Sequence, residues 1–206
     1  MNVRAAAVAV RQAGASPTEG EPQVVDPAAA RRIGSRHGEV AEVHYAVRDT
    51  SLGTVLVARS PRGLNAVFLG DDPRTLEVEL RRRFPEAAPL DGSTEMDALA
   101  DAVVACVESP EVGLHAPLDP GGTEFQQAVW EALRAIPPGE TASYAQIAAR
   151  IGRPRSVRAV GQACAANALA IVIPCHRAVG SDGRMTGYRW GVERKRRLLE
   201  MEARRA

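Results

Sequence analysis

One cysteine in this 206-residue sequence stands directly before a histidine, in the run Ile-Val-Ile-Pro-Cys-His-Arg that ends at Arg177. A cysteine attacks as its thiolate, and a nearby imidazole can take the thiol proton. On an extended strand, the side chains of Cys175 and His176 would point to opposite faces. They can serve one site only because Pro174 forces a turn, with a water bridging the two groups. Taken alone, the pair favours a buried structural cysteine over a nucleophile.

The segments around this pair indicate how it is held. The apolar run 169–173 predicts a buried strand, which ends at Pro174 because proline cannot donate to a sheet ladder. A glycine-rich loop follows over 180–191 and contains Met185, Tyr188 and Trp190. A last helix is predicted over 192–203, with Leu198, Leu199 and Met201 directed inward and its arginines outward.

Three further helices are predicted upstream of the pair. The first begins after Thr123, a suitable N-cap, and ends at the Pro-Pro-Gly run 137–139. A short helix over 144–151 and another over 155–166 flank the turn 152–154, which is the outline of a helix-turn-helix. The second of these presents Arg155, Arg158 and Gln162 among small residues. Small residues allow either tight helix packing or close approach to a nucleic acid, and the pattern favours neither.

The first half of the sequence predicts a separate α+β unit. Short apolar stretches at 40–47, 52–59 and 63–69 are broken by tight-turn residues and indicate a strand meander. Helices are predicted over 73–84 and 94–108. Residues 1–38 lack a sustained hydrophobic period and predict a tail or linker with a short helix around 27–33. We therefore expect domains at 39–118 and 119–206, divided by the Pro- and Gly-rich segment 117–122.

Composition restricts the class of protein. Hydrophobic residues make up 45% and charged residues 25%, which is typical of a soluble globular chain. No apolar run approaches the ~20 residues of a membrane span, and no secretory signal is recognisable, so we expect a cytoplasmic protein without a membrane partner. The odd number of well-separated cysteines, Cys106, Cys164 and Cys175, favours neither a disulfide framework nor a zinc cluster.

Charge is distributed unevenly along the chain. Residues 119–206 contain 14 basic and 8 acidic residues, a net of +6, whereas residues 1–118 contain 12 and 17, a net of −5. The two values sum to the overall charge of +1. A basic half is compatible with an anionic partner such as nucleic acid, although surface arginines are common in other proteins.

The residues around Cys175 resemble the acceptor site of the O6-alkylguanine-DNA alkyltransferases. The stretch 122–144, Arg158 with its neighbours 159–160, Asn167, and the loop segments 181–183 and 187–191 resemble further motifs of this family in the same order. The resemblance runs from about residue 43 to 202 and is greatest to the alkyltransferase half of bacterial adaptive-response proteins. It implies a small ribonuclease H-like α/β sheet domain, followed by a mostly helical, winged-helix-like DNA-binding domain with a helix-turn-helix.

The resemblance also implies an activity. An alkyl group of O6-methylguanine, or of O4-methylthymine, would pass from double-stranded DNA to Cys175 in a single turnover. The protein would act as a monomer from the minor groove on a flipped-out base. No metal and no organic cofactor would be required.

Each role is carried over to a position of this sequence. Cys175 is similar to the acceptor, His176 to its base, Glu202 to the carboxylate that orients the histidine, and Asn167 to a hinge residue beside the active-site turn. Arg158 resembles the residue that fills the space of the flipped base, and Tyr144 the one that crowds the 3′ phosphate and protonates guanine. Arg155 and Gln162 would contact DNA, and the base pocket would be lined by Tyr188, Trp190, Val172 and Ala170. Cys106 and Cys164 match no acceptor context.

Some members of the family add a zinc domain that accepts methyl groups from phosphotriesters and activates transcription. This sequence lacks the corresponding cysteine cluster, so that regulatory function is not expected. Two other classes remain open on the residues alone. A cysteine hydrolase using Cys175, His176 and Glu202 would turn over repeatedly, and a helix-turn-helix sensor of damage would have no use for an acceptor thiol.

Overall fold

The computed structural model describes residues 42–90, 92–185 and 187–204. The predicted tail at 1–38 and the short helix around 27–33 lie outside these ranges. Three strands form the predicted meander: β1 (His44–Thr50), β2 (Gly53–Ser60) and β3 (Gly63–Gly70). A short strand β4 (Ala88–Pro89) pairs with β1 in parallel and gives the sheet order β3-β2-β1-β4.

Two helices accompany this sheet at the predicted positions. Helix α1 (Pro73–Arg83) begins at Asp72, whose carboxylate accepts hydrogen bonds from the amides of Arg74 and Thr75 at 3.2 and 3.1 Å. Proline suits the first helical position because it has no N–H group that would need an acceptor there. The start of the helix therefore agrees with the prediction from the sequence. Helix α2 (Thr94–Glu108) packs against β1 and β2. The prediction of an α+β fold is confirmed.

Four α-helices lie in the described part of the second half. Helix α3 (Glu124–Arg134) starts with a capping box between Thr123 and Gln126, and α4 (Tyr144–Arg150) starts with one between Ser143 and Gln146. Helices α5 (Val157–Ala166) and α6 (Val192–Ala203) follow. No helix in the described ranges has the length and apolar character required to cross a membrane.

The turn between α4 and α5 differs slightly from the prediction. The amides of Gly152 and Arg153 donate to the carbonyls of Ala149 and Ala148, and Gly152 has a φ of +70° that disfavours a side chain. Ser156 then donates to the Arg153 carbonyl at 2.8 Å, closing a turn around Pro154. Arg155 therefore lies in this turn rather than in α5, because proline suits the second position of a β-turn.

A short parallel pair joins the helix-turn-helix to the segment around Cys175. Strand β5 (Ala142–Ser143) pairs with β6 (Ala178–Val179), so that Ser143 lies opposite Val179. Because α4 begins directly after β5 and β6 follows directly after Arg177, the pair brings Tyr144 close to the cysteine segment. Residues separated by about thirty positions in the chain are thus fixed on one side of the domain.

The edge strand β3 contacts the second half through its backbone. The Val67 amide donates to the Ala168 carbonyl at 2.8 Å, and the Ala170 amide donates to the Val67 carbonyl at 3.0 Å. The prediction of a strand over 169–173 is wrong, because the segment forms only this single bridge with β3. Ile171 has a φ of 69°, and the Ile173 amide donates back to Leu169 at 2.9 Å, so the segment is a tight turn. One cluster of buried hydrophobic residues extends from β1 to α6.

Candidate active site

Cys175 lies at the start of a 3₁₀ turn that follows Pro174. The turn covers Cys175–Arg177, and the Arg177 amide donates to the Pro174 carbonyl at 2.9 Å. Cys175 is buried, with an exposed fraction of 4%. The turn gives the thiol a fixed position beneath the surface, as the sequence position of Pro174 indicates.

The side chain of Asn167 holds the cysteine turn together. Its Nδ2 lies 3.2 Å from the Sγ of Cys175 and donates to the Ile173 carbonyl at 2.9 Å, with a longer contact to the Leu169 carbonyl at 3.3 Å. Its Oδ1 accepts from the Leu169 amide at 2.8 Å. Asn167 is 0% exposed and ends helix α5, so it links that helix to the thiol.

The imidazole of His176 is paired with a buried carboxylate. His176 Nε2 lies 2.8 Å from Glu202 Oε1, and neither side chain is exposed. The Glu202 carboxylate also accepts from the guanidinium of Arg177, at 2.8 Å from Nη2, and from the amide of Gly139 at 3.2 Å. A buried carboxylate is stable when several donors surround it in this way.

These contacts set the charge states of the pair. Burial alone would raise the pKa of Glu202, but hydrogen bonds from His176 and Arg177 outweigh it and lower that pKa to about 2. Burial lowers the pKa of His176, which favours the neutral ring. The ionised carboxylate accepts a hydrogen bond from the Nε2–H group, so Nδ1 carries the lone pair of the neutral ring. Nδ1 has no hydrogen-bond partner within the described residues.

The thiol is protonated in the resting protein. Burial raises the pKa of Cys175 to about 11, although the Asn167 amide and the positive charges of Lys195 and Arg189 oppose that rise. A thiol in this state requires a base before it can attack. A neutral imidazole with a free lone pair, one residue away, has the properties of such a base.

The four predicted pocket residues differ in exposure, and Tyr188 is the one with a measured contact to this pair. The rings of Tyr188 and Trp190 meet edge to face at 5.2 Å, and the Tyr188 ring lies 6.4 Å from that of His176. Trp190 and Ala170 are buried, and Val172 is half-buried. Neither Tyr188 Oη nor Trp190 Nε1 finds a partner in the described part of the chain. Polar atoms of this kind can bind a ligand.

The predicted DNA-contacting residues lie on the surface of the helix-turn-helix. Arg158 and Gln162 are exposed and four positions apart on α5, so they share one face. Arg155 is exposed in the preceding turn, and Tyr144 is half-buried at the start of α4. Cys106 and Cys164 are buried at 4% and 7% exposure and pack in the core.

Sequence reasoning missed two buried cations beside the site. Arg177 bonds Glu202, and Lys195 is 0% exposed with its Nζ donating to the Ala178 carbonyl at 2.6 Å. The buried face of α6 is formed by Lys195, Leu198 and Glu202, whereas Leu199 and Met201, predicted to point inward, are only half-buried. The available signal was the helical spacing. Lys195 lies three residues before the apolar Leu198 and Glu202 lies four residues after it, so all three side chains share one face of α6.

Similarity to known proteins agrees with this site. Residues 124–204 match the family model described as 6-O-methylguanine DNA methyltransferase, DNA binding domain. The bifunctional transcriptional activator/DNA repair enzyme Ada of Escherichia coli is 52% identical over 169 residues, which cover 82% of this chain and 48% of that protein. The inducible methylated-DNA--protein-cysteine methyltransferase of Bacillus subtilis is 40% identical, over 72% of this chain and 83% of that protein.

The fold gives the same assignment. The crystal structure of Mycobacterium tuberculosis OGT in complex with DNA superposes with a TM-score of 0.67 at 38% identity, covering 79% of this chain and 94% of that one. The chain belongs to the O6-methylguanine-DNA methyltransferase family. It spans about half the length of the Ada proteins that it matches.

Proposed function

We propose that this protein repairs DNA by transferring the alkyl group of O6-methylguanine, and of O4-methylthymine, irreversibly to Cys175. The observation that carries the proposal is the buried arrangement of Asn167, Cys175, His176 and Glu202, in which a thiol faces a hydrogen-bond donor and stands beside a neutral imidazole. Family membership supports the substrate, since several relatives are named methylated-DNA--protein-cysteine methyltransferases and the Ada relative is named a DNA repair enzyme.

The chemistry follows from the charge states. His176 Nδ1 accepts the proton of Cys175 through a water, and Glu202 stabilises the resulting imidazolium. The thiolate sulfur attacks the alkyl carbon while the bond from that carbon to guanine O6 breaks. Tyr144 supplies a proton to the departing guanine. The product is a thioether, a very poor leaving group, so the protein is consumed after one turnover.

The DNA must deliver the base to this buried thiol. The O6 substituent is unreachable inside a duplex, so the nucleotide is extruded at a cost of a few kcal/mol. We propose that Arg158 enters the stack from the minor groove, that Arg155 and Gln162 contact the duplex, and that one monomer acts at a time. Exposure of these three side chains on one helix-turn-helix supports this orientation.

The test is the intact mass of the protein after mixing with a methylated duplex. We expect a gain of one methyl group per chain, located on Cys175 by peptide mapping. A hydrolase would show no stable gain and would continue to consume substrate, and a damage sensor would bind the duplex without any change in mass.

Arg158→Ala is expected to separate base extrusion from chemistry. Loss of the side chain that fills the stack should slow transfer from duplex by about ten- to a hundredfold, since extrusion costs a few kcal/mol. Transfer from the free base should hardly change, because it requires no extrusion. The measurement is the second-order rate on both substrates, with Arg74→Ala on the exposed face of α1 as control. Equal losses on both substrates would place Arg158 in the pocket instead.

Trp190 is expected to restrict the size of the alkyl group. Its buried indole packs on Tyr188, and Ala170 offers no rigid ring for a bulky group. Overpacking costs about 1–3 kcal/mol, or roughly ten- to a hundredfold in rate. Free O6-benzylguanine should therefore react slowly. Trp190→Ala, alone or with Ala170→Pro, should accelerate it while methyl transfer persists, with Trp190→Phe as the milder variant. Rapid benzyl transfer by the unmodified protein would exclude a narrow pocket.

A further inference from the structure

Arg189 lies between two pocket residues and contacts both halves of the molecule. Its Nε donates to Glu79 Oε1 on α1 at 3.2 Å, and its Nη2 also contacts that oxygen. Its Nη1 donates to the backbone carbonyl of Asn167 at 3.2 Å. The guanidinium also lies over the rings of Phe68 and Trp190, at 5.3 and 5.8 Å from their centroids. One side chain thus joins α1, β3, the pocket loop and the end of α5.

The contact with Asn167 leads directly to the nucleophile. The amide of Asn167 donates to Cys175 Sγ, so its placement controls the hydrogen bond that the thiolate receives. Its side chain is already held by the cysteine turn itself, through Leu169 and Ile173. The Arg189 bond is a further constraint on its backbone, and Glu79 connects Arg189 to the first half of the molecule.

Glu79 is placed to direct Arg189 to this position. A cleft of about 320 Å³ is lined by residues of α1 and the end of β3 together with Arg189 and Trp190, and both members of the ion pair belong to its lining. Arg83, one turn along α1, experiences repulsion from Arg189 and attraction from Glu79. Without the carboxylate, two guanidinium groups would face each other, and Arg189 would move away from Asn167. Arg194 adds a second link between the two halves of the molecule, because its guanidinium donates to the Leu52 carbonyl and to the carboxylate of Asp71.

We propose that Arg189, directed by Glu79, is a positioning residue that couples helix α1 to the thiol through Asn167. The ion pair itself contributes little to stability, because its side chains are 27% and 34% exposed and such pairs are largely screened. Its effect is on geometry: it fixes the end of α5 relative to the cysteine turn. The first half of the chain thereby takes part in the reaction without contacting the substrate.

The test measures the reactivity of Cys175 directly. Carboxamidomethylation by iodoacetamide is followed against pH, with Cys175 distinguished from Cys106 and Cys164 by peptide mass. The charged or titratable groups that face Cys175 are Lys195, Arg189, Cys164, Tyr188 and His176. Arg189→Gln removes the donor to the Asn167 carbonyl together with a positive charge that acts on Cys175, whereas Glu79→Gln removes only the carboxylate that directs Arg189. Glu79→Gln is therefore the deciding variant, because loss of its negative charge would by itself move the midpoint downward. Both should move the pH midpoint upward, since a thiolate that loses a hydrogen-bond donor is less stable.

Methyl transfer gives the second measurement. Its rate should fall by about two- to tenfold in both variants, which is the contribution of one hydrogen bond. This part of the inference rests on the proposed function, whereas the thiol titration does not, so failure of one is distinguishable from failure of the other. Arg196→Gln, which breaks only a surface pair with Glu193, should change neither the rate nor the midpoint.

A charge-exchanged variant distinguishes the effect of the Arg189–Asn167 hydrogen bond from that of the ion pair between Arg189 and Glu79. Glu79→Arg combined with Arg189→Glu restores the ion pair, but a carboxylate cannot donate to the Asn167 carbonyl. We expect the exchange to leave the thermal unfolding midpoint close to that of the unmodified protein, because the ion pair contributes little to stability, while the rate and the pH midpoint stay impaired. Full recovery of the rate, or single variants indistinguishable from the unmodified protein in both measurements, would overturn the proposal.

Discussion

Replacing Cys175 with alanine is expected to abolish alkyl transfer completely while leaving DNA binding intact. The sulfur is the acceptor in the proposed reaction, and no other described cysteine stands beside an amide donor and an imidazole. The exposed residues of the helix-turn-helix, which would contact the duplex, are unchanged by this substitution. Binding is checked by a gel-shift titration and transfer by the intact mass of the protein.

The unmodified protein should stop after one equivalent. With excess methylated duplex, the number of methyl groups removed should equal the number of protein chains. The thioether product is a very poor leaving group, so the free thiol is not regenerated. Cys106→Ala and Cys164→Ala serve as matched controls, since both thiols are buried in the core. Continued turnover, or loss of transfer in either control at full folding, would contradict the assignment of Cys175 as the acceptor.

Glu202→Gln is expected to produce the second-largest effect, on both rate and stability. A neutral amide cannot stabilise the His176 imidazolium, and general-base assistance is worth on the order of 10²–10⁴ in rate. The buried Arg177 also loses its counter-charge. Removing one partner of a buried ion pair costs about 3–5 kcal/mol. Single-turnover kinetics and urea unfolding measure the two effects separately.

The stability loss should depend on pH. The pKa of Glu202 is lowered to about 2 in the folded protein, so the stabilisation is fully present above the ordinary carboxyl value and is lost as pH falls toward 2. The unmodified protein and the variant should therefore converge in acid. Glu200→Gln on the exposed side of the same helix is the control. A folded Glu202→Gln protein that transfers at the normal rate would show that the carboxylate does not assist His176.

Most helices and strands could be predicted because their signals are local. Thr123, Ser143 and Asp72 cap helices through bonds to amides two or three residues away, and the chain alone specifies such contacts. The short apolar stretches of the first half, broken by turn residues, likewise predicted three strands. The run 169–173 was misjudged because a short apolar segment fits a strand or a buried turn equally well. The single bridge to Val67 decided between them.

The sequence by itself indicated Cys175 and His176 as the candidate nucleophile and base, through their resemblance to the family motif, and it determined the capped helices around them, whose signals are local. Only the tertiary structure decided which charges surround the thiol. The resemblance had indicated Glu202, 26 positions from His176, whereas nothing in the sequence indicated that Glu79 would pair with Arg189, 110 positions away. A charged residue is buried only where partners from other elements offset its desolvation, and those partners are not visible in local periodicity. For that reason Lys195 and Arg177 were recognisable as parts of the site only after the chain had folded.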